Sequence, residues 1–285
     1  MSWSSRTLIV LLCLFLLLGG CSRASFLYER ADWLGARWVA NFLDLDREQR
    51  RWVRDELGLY QEQFRQQRLP EVERFLKQVI ADIEQQHHSA QEIGAQFEAA
   101  ESLLREIGRD VLPATAEILS ELNAKQLDHL DTRFEERDKE RQKEQEKRQE
   151  RSEEERRERL RSGLEDWLGE SSDEQEALLQ ECGEKMPDVA EAQADWERAR
   201  QSELLQRLRA GEDKAAIESY LSDWWLERIE QDSALQDART QRRELFPHCL
   251  SSLFSSLSDS QRQHLIDKLD GYLKDVQRII DAGKS

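Results

Sequence analysis

Apolar positions recur at three- and four-residue steps over most of the chain, the spacing of one face of an α-helix. Leu27, Ala31, Leu34, Trp38 and Phe42 form the first stripe, widened by Tyr28 and Trp33 and flanked by Arg23, Arg30 and Arg37. They predict an amphipathic helix from Ser25 to Phe42, packed on the body or lying on a membrane interface. Asp46 opens the next helix, to about Gln67. Pro70 starts another at its first turn, reaching about His87. Ser89 with Glu92 forms a capping box for a helix to about Ile107, and Pro113 begins a short one ending near Glu121. From Asn123 neither Gly nor Pro interrupts the chain until Gly163. A continuous helix from Asn123 to Arg161 would span roughly 58 Å at about 1.5 Å per residue. Helices follow from Ser172 to Gly183, Pro187 to Gly211 and Asp213 to Leu245, and Pro247 and Ser258 open the last two. Trp196, Leu204, Leu205 and Leu208 point inward on one of them. The next carries Ile217, Tyr220, Leu221, Trp224, Trp225, Leu226 and Ile229. Runs of β-branched residues are few, so no sheet is expected. The pattern predicts an all-α fold, an elongated multi-helix bundle with one long, highly charged helical arm.

That arm is Arg133 to Arg161, with twelve Lys/Arg, eleven Asp/Glu and no large apolar residue between Phe134 and Leu160. Glu135–Lys139, Glu144–Arg148, Glu153–Arg157 and Glu155–Arg159 are i,i+4 pairs in the favourable order, each worth about 0.2–0.5 kcal/mol. With no face to bury and no heptad seam, the arm is expected to be solvated. It divides the chain into a leader (1–20), an N-terminal half (21–132), the arm (133–162) and a C-terminal half (163–285).

The net charge is −17, and residues 163–285 alone hold fifteen basic and twenty-seven acidic side chains. This balance argues against a nucleic-acid partner, whose binding depends on Lys and Arg neutralising phosphates. A charged fraction of 35% and a mean hydropathy of −0.80 approach the disordered range, but 7% aromatic residues and regular apolar spacing argue for packed helices.

The first twenty residues carry one charge, Arg6, then an unbroken apolar run from Leu8 to Leu18. Eleven residues are too few to cross a bilayer as a helix, which takes about 20, and the layout is that of a signal peptide. Leu18-Gly19-Gly20-Cys21 resembles the lipobox of bacterial lipoproteins. The resemblance implies cleavage before Cys21 and a diacylglycerol and an N-acyl chain on that residue. No other cofactor is expected. Ser22 stands where an aspartate would retain a lipoprotein in the inner membrane, so the outer membrane, facing the periplasm, is the implied site. Two thiols then remain, Cys182 and Cys249. An oxidising compartment suggests a disulfide between them; two unpaired thiols are the alternative.

One helix start recurs. Leu45-Asp46-Arg47-Glu48-Gln49 precedes Trp52-Val53. Leu122-Asn123-Ala124-Lys125-Gln126 precedes His129-Leu130. Leu257-Ser258-Asp259-Ser260-Gln261 precedes His264-Leu265, and Ser172-Asp173-Glu174-Gln175 with Leu178-Leu179 is a partial fourth copy. Asp46, Asn123 and Ser258 serve as N-caps, and Gln49, Gln126 and Gln261, three residues on, reach back to them. Good helix starts explain the repeat on their own. It also resembles the Leu-Thr-x-x-Gln signature of the Spy/CpxP class of periplasmic helical chaperones and sensors, without that threonine. Lipobox, Tyr28…Asp32-Trp33, Leu45-Asp46, Leu69-Pro70 and Trp167-Leu168 together resemble an uncharacterised group of proteobacterial lipoproteins, a domain of unknown function. That resemblance implies an all-helical lipoprotein and no assigned activity.

Catalytic and metal signatures are lacking. His87 and His88 are adjacent, so on a helix they diverge, and His129, His248 and His264 are isolated. Neither His-Glu-x-x-His nor Cys-x-x-Cys spacing occurs, nor a Gly-x-Ser-x-Gly elbow. No catalytic residue and no metal site is expected. The expected partners are the membrane, through the anchor, and a protein.

Overall fold

The computed structural model describes residues 28–227 and 233–284. Residues 1–27, with the expected leader, Cys21 and the expected helix start at Ser25, lie outside the described part. In chain order the helices are α1 (Ala31–Phe42), α2 (Arg47–Gln63), α3 (Leu69–Glu84), α4 (Ala90–Ser120), α5 (Ala124–Gln149) and α6 (Glu153–Leu168). They continue as α7 (Asp173–Lys185), α8 (Ala190–Arg209), α9 (Lys214–Ser222), α10 (Ser233–Ser255) and α11 (Asp259–Ala282). The described residues contain no strand, and the fold is an all-α multi-helix bundle.

The two halves interleave. In the largest core, Ala36 and Ala40 of α1, Leu112 and Ala116 of α4 and Leu127 and Leu130 of α5 meet Leu204, Leu208, Ile217 and Leu221 of α8 and α9. A second core joins Ile80 of α3 to Leu164, Leu168, Leu253, Leu265 and Leu269. A third, around Tyr28, Phe64, Leu69 and Ile107, takes Val276 and Ile279 from α11. The Tyr28 hydroxyl donates to the Gln61 carbonyl at 2.8 Å, and burial pushes its pKa up to about 12.

Of the prolines read as helix starts, Pro113 and Pro247 lie inside longer helices. Pro70 stands in the first turn of α3, as its position suggested. A π-helical segment at Phe64–Arg68 joins α2 to α3, and the Leu69 amide donates to the Phe64 carbonyl. That i→i+5 turn absorbs a residue with no N–H to give. Arg68 pins it, forking onto Asp110 of α4 at 2.6 and 2.8 Å, which holds the guanidinium further above its ordinary pKa. Pro113 sits inside α4 on its exposed side, where the carbonyl it leaves unpaired can turn toward water. Pro247 sits inside α10, against Gly94 of α4.

The charged arm is not one helix. It breaks after Gln149, and Ser152 caps α6 in a box with Glu155, their two bonds measuring 2.8 and 3.2 Å. Nor is its base free of contacts. Arg141 pairs with the buried Glu197 of α8 at 3.0 Å, and Arg133 and Arg137 lie over the Phe42 ring.

Candidate functional site

The repeated starts converge in space as two junctions of the same design. Each N-cap side chain accepts from the third helical amide, at 3.0 Å for Asp46, 3.1 Å for Asn123, 3.3 Å for Ser172 and 3.2 Å for Ser258. Each glutamine oxygen accepts in return from its own cap amide, at 2.9–3.1 Å. The glutamines then bond to one another. Gln126 Nε2 donates to Gln49 Oε1 at 2.6 Å. Gln175 and Gln261 exchange bonds at 3.0 and 2.8 Å.

The second amide hydrogen follows one rule at all four positions: it goes to the carbonyl two residues before the partner's cap. Gln126 reaches Asp44 at 3.0 Å and Gln49 reaches Glu121 at 3.4 Å. Gln261 reaches Glu170 at 3.1 Å and Gln175 reaches Ser256 at 3.2 Å. At the second junction each amide therefore uses two acceptor and two donor positions, its full capacity. This explains how Gln126, Gln175 and Gln261 are buried without the penalty of an unmade bond.

Flanking contacts repeat as well. The residue two after a cap reaches the acid two before its partner: Lys125 to Asp44 at 2.9 Å, Ser260 to Glu170 at 3.2 Å. Lys125 also holds the Asp44 carboxyl below its ordinary value. The histidines six residues past a cap close each junction. His129 Nε2 bonds the Asn41 carbonyl at 3.2 Å. His264 packs against Gly169, whose φ is +79° and where a Cβ would lie 3.0 Å from the ring, so that a side chain there would be strained and would push the ring aside. Each junction thus joins two helix ends to two helix starts: α1 and α4 to α2 and α5, then α6 and α10 to α7 and α11.

Beside the second junction, Cys182 of α7 and Cys249 of α10 are disulfide-bonded, with Cα atoms 6.0 Å apart. The two helices run antiparallel, fastened by Gln175 with Ser256 at one end and by the cysteines further along.

Part of the α1 stripe faces outward, contrary to the ordinary amphipathic pattern, while Phe42 at its end packs against the core. Ala36 and Ala40 are buried, whereas Trp33, Leu34 and Trp38 are 48, 45 and 44% exposed. Small residues permit the inversion: a Cβ on Gly35 would lie 3.4 Å from Leu57 of α2, so α1 packs close through its slender side. Arg37 covers Trp33, and Trp38 stacks on Phe42 at 5.1 Å. A second exposed aromatic pair, Phe97 with Phe246, meets edge to face at 5.2 Å. Of Trp224 and Trp225, the first is buried and the second half-buried.

An open depression of about 560 Å³ runs along α8, with Asp188, Glu191, Asp195 and Glu203 around Trp196 and Arg200. Arg200 and Arg239 already stack on that indole. Among the described residues, no group of three His, Cys, Asp or Glu side chains could hold a metal ion, and no helix is long and apolar enough to cross a membrane.

The paired junctions were the part invisible in the sequence. Each cap is a local pattern, but the glutamine partners lie 77 and 86 residues apart. No curated protein and no solved structure matches the chain. A family model covers residues 41–231, a stretch that contains the whole first junction and the Ser172–Gln175 arm of the second. With more than half of its length matched, the chain belongs to DUF6279, a family of unknown function.

Proposed function

We propose that the chain is a lipid-anchored outer-membrane lipoprotein facing the periplasm, whose helical body is a non-catalytic module for structure or protein interaction. The observation that carries this reading is the disulfide between Cys182 and Cys249. It fits an oxidising compartment and leaves Cys21, behind its lipobox, as the thiol for acylation. The polar groups of the repeat support a structural role, because their bonds are spent on fastening helix ends. Cys21→Ser should abolish incorporation of a fatty-acid label and release the protein from the membrane fraction. Ser22→Asp should shift it from outer to inner membrane on a density gradient. Unchanged labelling of Cys21→Ser would overturn the anchor.

A second reading, a membrane-tethered chaperone of the Spy/CpxP kind, is favoured by the exposed Phe97–Phe246 pair. On that reading the protein suppresses aggregation of a reduced model client, and Phe97→Ser/Phe246→Ser weakens the effect. No suppression at stoichiometric excess counts against it.

A further inference from the structure

We propose that the outward face of α1, Trp33, Leu34 and Trp38, is a membrane-docking face that seats the body on the bilayer holding its own acyl chains. The inference rests on the anchoring of Cys21 and assigns a use to the inverted helix.

A helix that covers a protein surface ordinarily turns its large apolar side chains inward. In α1 the buried positions are Ala36 and Ala40, with Val39 and Phe42 packed against the core beside them, whereas Trp33, Leu34 and Trp38 point to solvent. The residue types on that face are those of the water–bilayer boundary. Indoles sit at headgroup depth with an apolar body and a polar N–H. Arg37, stacked on Trp33 at 5.6 Å, can lay its stem along the ring and keep its charge at the phosphates.

Chain length favours lipid over a protein occupant. Trp33 follows Cys21 by twelve residues, so even a fully extended chain holds it within about 40 Å of the acylated thiol. A tether that short keeps the face at a high effective concentration beside the bilayer. A weak interfacial helix is enough there, as a second signal beside the acyl chains. The net charge of −17 works against a second, broad contact of the body with anionic lipid, so docking at this end leaves the rest of the bundle directed away.

The test uses full-length protein expressed in cells, extracted in detergent, with its N-terminal peptide weighed for acyl chains. It is reconstituted into phosphatidylethanolamine and phosphatidylglycerol vesicles whose acyl chains carry bromine near the headgroup. The expected result is quenching of part of the tryptophan fluorescence, and loss of that part in Trp33→Phe/Trp38→Phe, a variant that keeps the face apolar and the helix content unchanged. Absence of quenching in the acylated wild type overturns the proposal and leaves the face to a protein partner. Equal quenching in wild type and variant also overturns it, since other indoles then meet the lipid. A peptide without acyl mass overturns the anchoring reading by itself. The same vesicles are then added to the unacylated protein. Quenching that depends on Trp33 and Trp38 upholds the docking face, and its absence removes it.

Discussion

A buried amide side chain is tolerated when all its bonds are made and is costly when one is lost. Gln261 occupies that position: it closes its own cap, pairs with Gln175 and holds the Glu170 carbonyl. Gln261→Ala should destabilise by about 1–3 kcal/mol, more than the about 0.5–2 kcal/mol for loss of the Ser258 cap alone. Combining it with Gln175→Ala should cost less than the sum, because the first change already orphans the second amide. Urea denaturation of the two single variants and the double variant measures that coupling, and strict additivity would show that the pair does not act as a unit. Capping was legible in the sequence because it is set within four residues. That Gln49, Gln126, Gln175 and Gln261 would face one another in pairs was not, since nothing local to a helix start states which other start it will meet.

At the scale of elements, proline and charge were the misleading signals. Pro70 does stand in the first turn of α3, but Pro113 and Pro247 have the same local marks of a helix start, and tertiary packing carries the helix through both. The cost of a missing amide is met by a π turn at Phe64–Arg68 and by an exposed position at Pro113. The opposite error occurred in the charged arm, where the absence of Gly and Pro suggested continuity. Ser152 and Glu155 carry the signature of a new start, hidden among like-charged neighbours. The arm's base is held by Arg141 on Glu197, and beyond it exposed pairs contribute little. Amide exchange should therefore be slow through Leu127 and Leu130 of α5 and fast from about residue 142 to the start of α6. Uniform protection across α5 would show that the outer part has a packing partner.

For the whole molecule, acid stability follows from how its carboxylates are spent. The hydrogen bond from Arg161 holds Glu176 below its ordinary value of 4.5. Lys77 and Gln277 do the same for Glu73, and Ser89 for Glu92. Such groups bind protons less readily folded than unfolded. Their contribution is therefore present above 4.5 and is lost as pH falls through the lowered values. Asp275, raised by burial against the pull of Arg278, acts in the other direction but stands against several. The melting temperature should fall as the pH drops below 4.5, and Arg161→Gln should lower it at pH 7 while making the acid decline shallower. An unchanged acid decline in Arg161→Gln would remove Glu176 from the account. The all-helical class was legible from apolar periodicity alone, whereas the interleaving of the halves was not: α11 packs on α3, and α9 on α4, through contacts with no local sequence signal. The covalent tie between α7 and α10 adds a constraint on register. Cysteines more than about 7 Å apart at Cα cannot be bridged without backbone movement, and one helical turn of slippage displaces them by about 5.4 Å. The bridge is therefore compatible only with the register of α7 and α10 that the second junction sets, and a slip of one turn would separate Cys182 from Cys249 beyond bridging distance.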